Sequence, residues 1–303
     1  MKKTSLASQL CKKWQLVLLV LPTVIYFIIF HYAPMYGVQI AFKNFRAVDG
    51  IWGSPWVGLA NFRMFFRSPS AWNIIANTLL LSGYQCIVNF FLPVMLALML
   101  NMMTNQKMKR VVQTVTYAPH FLSTVVIVGM ILIFFSPNGG LINEIVMLFG
   151  GERIAFMNEP AYFRHIFVWT GAWQNTGWGA IIYMSALAGI DPSLHEAAVV
   201  DGANRLQRVR HIDIPGILPT ATLLLILSVG KIMGLGYEKA YLMQNSLNSG
   251  VSEIISTYVY KRGLLNVQYG FSTAVGLFNS VCNIILLLTV NTAAKKMSGN
   301  SMF

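Results

Sequence analysis

Charge is what this chain has least of. Only 11% of its 303 residues are Asp, Glu, Lys or Arg and 55% are hydrophobic, whereas an ordinary soluble domain is about a quarter charged. A conventional soluble domain is thereby excluded. Acidic residues are the scarcest of all, ten against 22 Lys and Arg, which leaves a formal charge of +12. A nucleic-acid surface is one reading of such an excess. Here, however, the basic residues lie in short segments beside hydrophobic runs, where positive charge fixes orientation in a membrane, so no nucleic-acid partner is expected. Cys11, Cys86 and Cys282 are few, scattered and odd in number, which argues against both a disulfide framework and metal-ligand spacing. The phosphate-cradling pattern G-x-x-x-x-G-K-[ST] is absent: Gly230-Lys231 is followed by Ile232, and position 225 is Leu225. His195-Glu196 opens an H-E-x-x-H pattern, but Val199 stands where the second zinc ligand belongs. No catalytic residue, metal or cofactor of the chain's own is expected.

What the chain has in abundance is long apolar runs. Six stretches, about 15–32, 74–100, 116–136, 165–188, 218–236 and 271–293, are long enough for helices to cross a hydrocarbon core of roughly 30 Å. An all-α, polytopic membrane protein of one domain, residues 1–303, follows. The first run resembles a signal peptide, but it is long and Phe30-His31-Tyr32-Ala33-Pro34 offers no small-x-small cleavage site; it reads as an uncleaved helix. Lys2, Lys3, Lys12 and Lys13 precede it. Lys107, Lys109, Arg110, Arg205, Arg208, Arg210, Lys295 and Lys296 fall in alternate loops or the tail, which puts both termini in the cytoplasm. The loop 33–73 is then external, and Pro34, Gly37, Gly50, Gly53, Pro55 and Gly58 punctuate it against continuous helix. Within it, 61–67 forms an amphipathic helix that either lies along the lipid interface or packs on the bundle. Pro22 and Pro93 are expected to kink their helices.

The polar insert 189–219 is the most informative segment. Asp191-Pro192 is a helix start, and Ser193 with Glu196 is a competing capping box. Gly202 is free to take positive φ and turn the chain into a second short helix, which holds Leu206, Val209 and Ile212 beside Arg205, Arg208 and Arg210. Pro215 ends that helix and Pro219 starts the fifth span. Four of the ten acids, Asp191, Glu196, Asp201 and Asp213, sit here. The predicted pair offers small apolar faces that suit docking into a groove; an interfacial helical hairpin accounts for them as well.

Glu196-Ala197-Ala198, then Asp201-Gly202-Ala203, then Ile212-Asp213-Ile214-Pro215, about 100 residues from the C-terminus, resemble the coupling loop of binding-protein-dependent (type I) ABC importer permeases. Val209 stands where many of those permeases have an aromatic residue. The likeness extends over nearly the whole chain and narrows to the oligosaccharide and polysaccharide permeases of the LplB-like group, through Phe30 to Gly37, Ala118-Pro119-His120-Phe121-Leu122-Ser123, Ile255-Ser256-Thr257-Tyr258-Val259-Tyr260 and Phe271 to Ser280. The resemblance implies six transmembrane helices with a core fold over about 72–293 and a location in the bacterial plasma membrane. It makes Glu196, Ala197, Ala198, Asp201, Gly202, Ala203, Ile212 and Pro215 the ATPase-coupling residues. It also implies the partners: a second, homologous permease subunit, a cytoplasmic ABC ATPase dimer that binds the ATP and Mg, an external solute-binding lipoprotein and a carbohydrate substrate.

A sugar path needs rings for CH faces and amides or charges for hydroxyls. The fourth span offers Trp169, Trp173, Gln174, Asn175, Trp178 and Tyr183, and the fifth offers Lys231. Aromatic anchoring at the membrane boundary explains single Trp residues, and interhelical hydrogen bonding explains Gln174 and Asn175 as well as substrate contact does. Lys231 faces the path or snorkels outward. The segment 238–270, rich in Asn, Ser, Gln and Tyr, is either a rim for the external partner or a solvated loop. The rival function is an ion-coupled secondary transporter, which usually needs an intramembrane acid. Asp49, Glu144, Glu152, Glu159, Glu238 and Glu253 all fall in external segments and the other four acids in the insert, which weighs against it.

Overall fold

A computed structural model describes residues 14–298; Lys2, Lys3, Cys11, Lys12 and Lys13 lie outside that range. Among the described residues the elements are helices, with one isolated antiparallel bridge, Lys43 to Trp56, in place of a sheet. Four helices are long and apolar enough to cross a membrane: Trp14–Phe42, Ala71–Met102, Arg205–Val229 and Tyr269–Lys296. A bent pair, Gln106–Phe121 with Thr124–Phe134, makes a fifth crossing if its two arms act as one.

The first span overruns its expected end. Helix α1 (Trp14–Phe27) continues through a π turn, Ile28–Tyr32, and past Pro34 to Phe42. A proline ring inside a helix collides with the carbonyl four residues back. Here the Ala33 N–H bonds five residues back to Ile28 O, and that widened turn makes room for Pro34. Only the far end, Tyr36–Phe42, packs on the bundle; Trp14 to Tyr36 is exposed along its length in the single chain. Helix α2 (Ala60–Arg67) settles onto the bundle, with Asn61 and Phe65 buried and Arg63 and Arg67 outward.

Helix α3 (Ala71–Met102) runs unbroken through Pro93 and spans roughly 48 Å at 1.5 Å per residue. The third expected span is not one helix. Helix α4 (Gln106–Tyr117) gives way to a 3-10 turn at Ala118–Phe121, and α5 (Thr124–Phe134) leaves at 100° to it. Pro119 withholds a donor, and Ser123 Oγ accepts from the Val126 N–H at 3.3 Å to cap a new helix. After α6 (Leu141–Leu148) comes α7 (Pro160–Ala188), long enough to cross but more polar than the four apolar helices because it carries Arg164, His165, Gln174 and Asn175. It packs against α3, α4 and the later helices.

The fifth span differs most from expectation. Helix α8 (Pro192–Val200) precedes α9 (Arg205–Arg208), which flows through a π turn, Val209–Asp213, into α10 (Ile214–Val229). Pro215 therefore does not end the preceding helix, because the Ile214 N–H bonds to Val209 O in the register that admits Pro34. The span closes at Val229 instead of near 236, and Gly230, Gly234 and Gly236 punctuate the turns that follow. Helices α11 (Tyr237–Met243) and α12 (Ile255–Tyr260) lead to the last span, α13 (Tyr269–Ser298).

Lipid is as apolar as Leu, so helices in it associate through close packing and hydrogen bonds, and small residues mark the contacts. Ala97 of α3 meets Ala180 of α7 and Ala221 of α10 in one buried cluster, with Leu187 and Ile217 around them. Gly179 leaves room for the ring of Pro93, whose Cγ would lie 3.1 Å from an added Cβ. At Gly177 a Cβ would stand 2.1 Å from Thr116 O, so the α4 backbone rests directly on α7. Gly177→Ala should therefore lower the thermal unfolding midpoint of the detergent-solubilised protein, since overpacking against backbone costs about 1–3 kcal/mol. Gly276→Ala, in α13 with open space around it, should hold or raise the midpoint through helix propensity. Equal midpoints for the two variants would refute this account of the contact.

Candidate functional site

Two polar features stand out on this scaffold: a surface helix pair after α7 and a cavity among α3, α7 and the chain beyond α10. The pair is held at every terminus. Asp191 Oδ1 accepts from the Ser193 N–H at 2.9 Å, so Asp191 and not Ser193 caps α8. That backbone bond, followed by the Ser193 side chain, holds the Asp191 carboxyl below its ordinary pKa. At the other end Gly202 takes φ +79°, Gly202 N–H bonds to Val199 O at 3.1 Å and Ala203 N–H bonds to Ala198 O at 2.8 Å. This is the paired closure of a Schellman motif, which needs the left-handed residue that Gly supplies. One residue later Asn204 caps α9 reciprocally with Gln207: Gln207 N–H donates to Asn204 Oδ1 at 2.9 Å and Asn204 N–H donates to Gln207 Oε1 at 2.7 Å.

Of the residues singled out in the sequence, Glu196, Ala197, Asp201, Gly202 and Pro215 are exposed, and Ala198, Ala203 and Ile212 are half-buried. The apolar surface left open differs from the expected one. Val209 is buried and Ile212 leans inward, so the exposed face is Val199, Val200 at 86% and Leu206 at 72%. Asp213 also leaves the expected acidic set: it is 3% exposed, 3.4 Å from His195 Nε2 and within 3.4 Å of the Asn101 amide at the end of α3. The π turn rotates Val209 and Asp213 under the pair, where they tie it to the bundle.

The α7 residues separate into two groups. Gln174, Asn175 and Trp178 all meet the bend after α4: Gln174 Nε2 donates to Leu122 O at 3.1 Å, Asn175 Oδ1 lies 3.1 Å from His120 Nδ1, and Trp178 stacks on His120 at 4.6 Å. Trp169 donates to the Tyr84 hydroxyl at 2.8 Å. Trp173 is half-exposed and Tyr183 is buried beside Leu187. Lys231 lies apart from all six and lines the cavity.

That cavity, about 360 Å³, is lined by Ser82, Gln85 and Asn89 of α3, Phe167 of α7, and Lys231 and Lys239 beyond α10. Lys239 Nζ donates to Phe167 O at 2.8 Å and to Thr170 Oγ1 at 2.9 Å, a close approach that Gly171 permits, since an added Cβ would lie 3.2 Å from the ammonium. Ser82, Gln85, Asn89 and Lys239 are site residues that the sequence reading missed. The signal was present as Ser82-x-x-Gln85-x-x-x-Asn89, one face of a helix, but the surrounding apolar residues masked it.

Over residues 90–299 the chain matches the family described as binding-protein-dependent transport system inner membrane component. It is similar to protein LplB of Bacillus subtilis, 43% identical over 291 residues that cover 96% of this chain and 91% of LplB. It is also similar to the polygalacturonan/rhamnogalacturonan transport system permease protein YteP of the same bacterium, 40% identical over 302 residues covering 100% and 94% of the two chains. A crystal structure of a bacterial alginate ABC transporter in complex with alginate pentasaccharide-bound periplasmic protein contains a chain of the same fold. The two agree with a TM-score of 0.90 at 34% identity, over 98% of this chain and 99% of that one. With the family matched across most of its length and relatives aligned nearly end to end, the chain belongs to the binding-protein-dependent transport system inner membrane components.

Proposed function

We propose that the chain is one of two homologous permease subunits of an ATP-driven importer of oligosaccharides in the bacterial plasma membrane. Both termini lie in the cytoplasm and the segment 191–215 docks on a cytoplasmic ABC ATPase dimer, which binds the ATP and Mg. A solute-binding lipoprotein delivers the sugar from outside. One observation carries this reading: the surface pair is rigidly capped at Asp191, Gly202 and Asn204 yet keeps Val199, Val200 and Leu206 open to solvent. A rigid, exposed apolar face fits a docking handle better than it fits a passive connection. A carbohydrate cargo is favoured by YteP and by the alginate transporter, whose names specify polysaccharides. The ion-coupled alternative is not favoured by the family and its relatives, and among the described residues no carboxylate lines the cavity.

Glu196→Lys and Gly202→Glu should each abolish uptake of radiolabelled digalacturonate by whole cells and prevent co-purification of the ATPase with the tagged chain, while the chain stays in the membrane. The first reverses charge on the docking face. The second adds charge and forces a side chain into positive φ. Wild-type uptake in both variants would remove the coupling role. Orientation is tested separately: in a background with Cys11, Cys86 and Cys282 changed to Ser, Leu206→Cys should react with an impermeant maleimide in inside-out vesicles and stay unlabelled in intact cells. Labelling from outside would refute the cytoplasmic placement. Replacing Gln174 and Asn175 together with Leu removes the ties to Leu122 and His120. Sugar uptake should fall while the ATPase still co-purifies, and unchanged uptake would leave these amides a packing role alone.

A further inference from the structure

Among the described residues, several polar side chains between the helices are occupied by irregular backbone. Asn61 serves Ala41 and Lys43, Asn77 serves Gly250 and Glu253, Asn143 serves Ser136 and Ile154, and Asn283 serves Met233. Eight buried side-chain atoms among the described residues have no partner, and three of the eight, on Ser82, Gln85 and Asn89, come together at one place. Ser82 Oγ, Gln85 Oε1 and Asn89 Oδ1 are buried and have no hydrogen-bond partner among the described residues, and all three residues line the same cavity. Buried polar atoms without partners are rare in folded proteins, and such an atom points to a group that arrives later. Across the same cavity stand Lys231 and Lys239, and among the described residues neither pairs with a carboxylate. An ammonium has three donors, and Lys239 spends two on Phe167 O and Thr170 Oγ1. Among the described residues no Asp or Glu lines the cavity. Such a site offers two positive charges and acceptors for hydroxyl groups, with the Lys239 ammonium seated 4.8 Å from the centroid of the Phe167 ring.

We propose that this cavity is a transient binding site for an acidic sugar unit. Its carboxylate is held by Lys231 and the free donor of Lys239, and its hydroxyls by Ser82, Gln85 and Asn89. The assignment deepens the carbohydrate-import reading above and rests on it. A volume of about 360 Å³ falls within the range of small-molecule sites. A single cationic site along a path favours entry without trapping when its contacts are few. Neutral sugars satisfy the acceptors and leave both charges unpaired, so the site discriminates by charge.

Cys86 lines the same cavity and serves as a native reporter. Full-length protein carrying Cys11→Ser and Cys282→Ser, in phosphatidylcholine nanodiscs that lack anionic headgroups, is labelled with an anionic and with a cationic thiosulfonate. The anionic reagent should modify Cys86 at least about tenfold faster, the scale on which a charged cleft concentrates counter-ions. Digalacturonate should slow that labelling and its dimethyl ester should not. Lys231→Gln should remove both the preference and the protection while eluting as the parent does in size exclusion, since the Lys231 ammonium has no hydrogen-bond or ion-pair partner among the described residues. Equal labelling by the two reagents, or no labelling by either, would overturn the cationic-site assignment. Protection by acid and ester alike would overturn the charge selection and keep a sugar site. Protection by neither would take saccharide out of this cavity, while importer membership would stand or fall on the uptake and ATPase co-purification tests.

Discussion

Inside a hydrocarbon layer every backbone N–H and C=O must find a protein partner, because no water is there to take its place. That constraint organises the whole chain. Straight helix satisfies it without help, so the departures from straight helix are where side chains become necessary. At the 118–123 bend, Gln174 takes Leu122 O. Beyond α10 the chain leaves the helix at Val229, and there Asn283 accepts from Met233 N–H at 2.9 Å while Ser256 donates to Leu235 O at 2.8 Å. At Pro34 and Pro215 a π turn placed two residues ahead accompanies the continuous helix, whereas Pro22, Pro93 and Pro219 sit inside α-helix without one. Much of the polar content between the helices thus serves the chain's own backbone, and Ser82, Gln85 and Asn89 stand apart because three unpartnered buried atoms share one cavity.

The surface pair follows the same logic under different conditions. Its ends lie outside the long apolar spans, where water can satisfy stray groups, yet the chain closes them internally with an Asx cap, a Schellman closure and a reciprocal Asn204–Gln207 box. Each such cap contributes about 1 kcal/mol, more than a solvent-bathed connection requires. The return is stiffness. Short helices of this length are unstable alone, and their caps, with Asp213 buried between His195 and Asn101, turn them into a fixed protrusion on the end of the bundle.

Much of this was legible in the sequence, and the gaps have physical causes. The apolar runs, the Asp191 helix start and the need for positive φ at Gly202 were readable because each is a local property of a few adjacent residues. The continuity of Arg205–Val229 was not, since a proline reads as a terminator unless the π turn ahead of it is known, and a π turn leaves no composition mark. The broken third span was hidden for the converse reason: Thr124 to Phe134 is as apolar as any crossing helix, and only the Ser123 cap and Pro119 betray the bend. Val209 and Asp213 were misjudged for the same cause, because one wide turn rotates the following residues away from the face that a regular helix would give them. Lys239 was unreadable as a cavity residue, since its partners lie in α7, about 70 positions earlier in the chain.

These features meet in one element. Arg205–Val229 begins in the exposed pair, with Leu206 open to solvent, and ends at Ser228, which lines the polar cavity with Lys231. Its 25 residues cover roughly 38 Å at 1.5 Å per residue, more than the roughly 30 Å of the hydrocarbon layer. A helix broken at Pro215 would absorb a push as a hinge. Carried through Pro215 by a π turn, the helix is continuous as far as the glycine-punctuated turns at Gly230, Gly234 and Gly236. At Gly230 an added Cβ would meet Leu287 Cδ1 at 2.4 Å, so α13 bears on the same point. One helix thus runs from the exposed pair to the polar cavity without interruption, which is the geometry that the proposed coupling role requires.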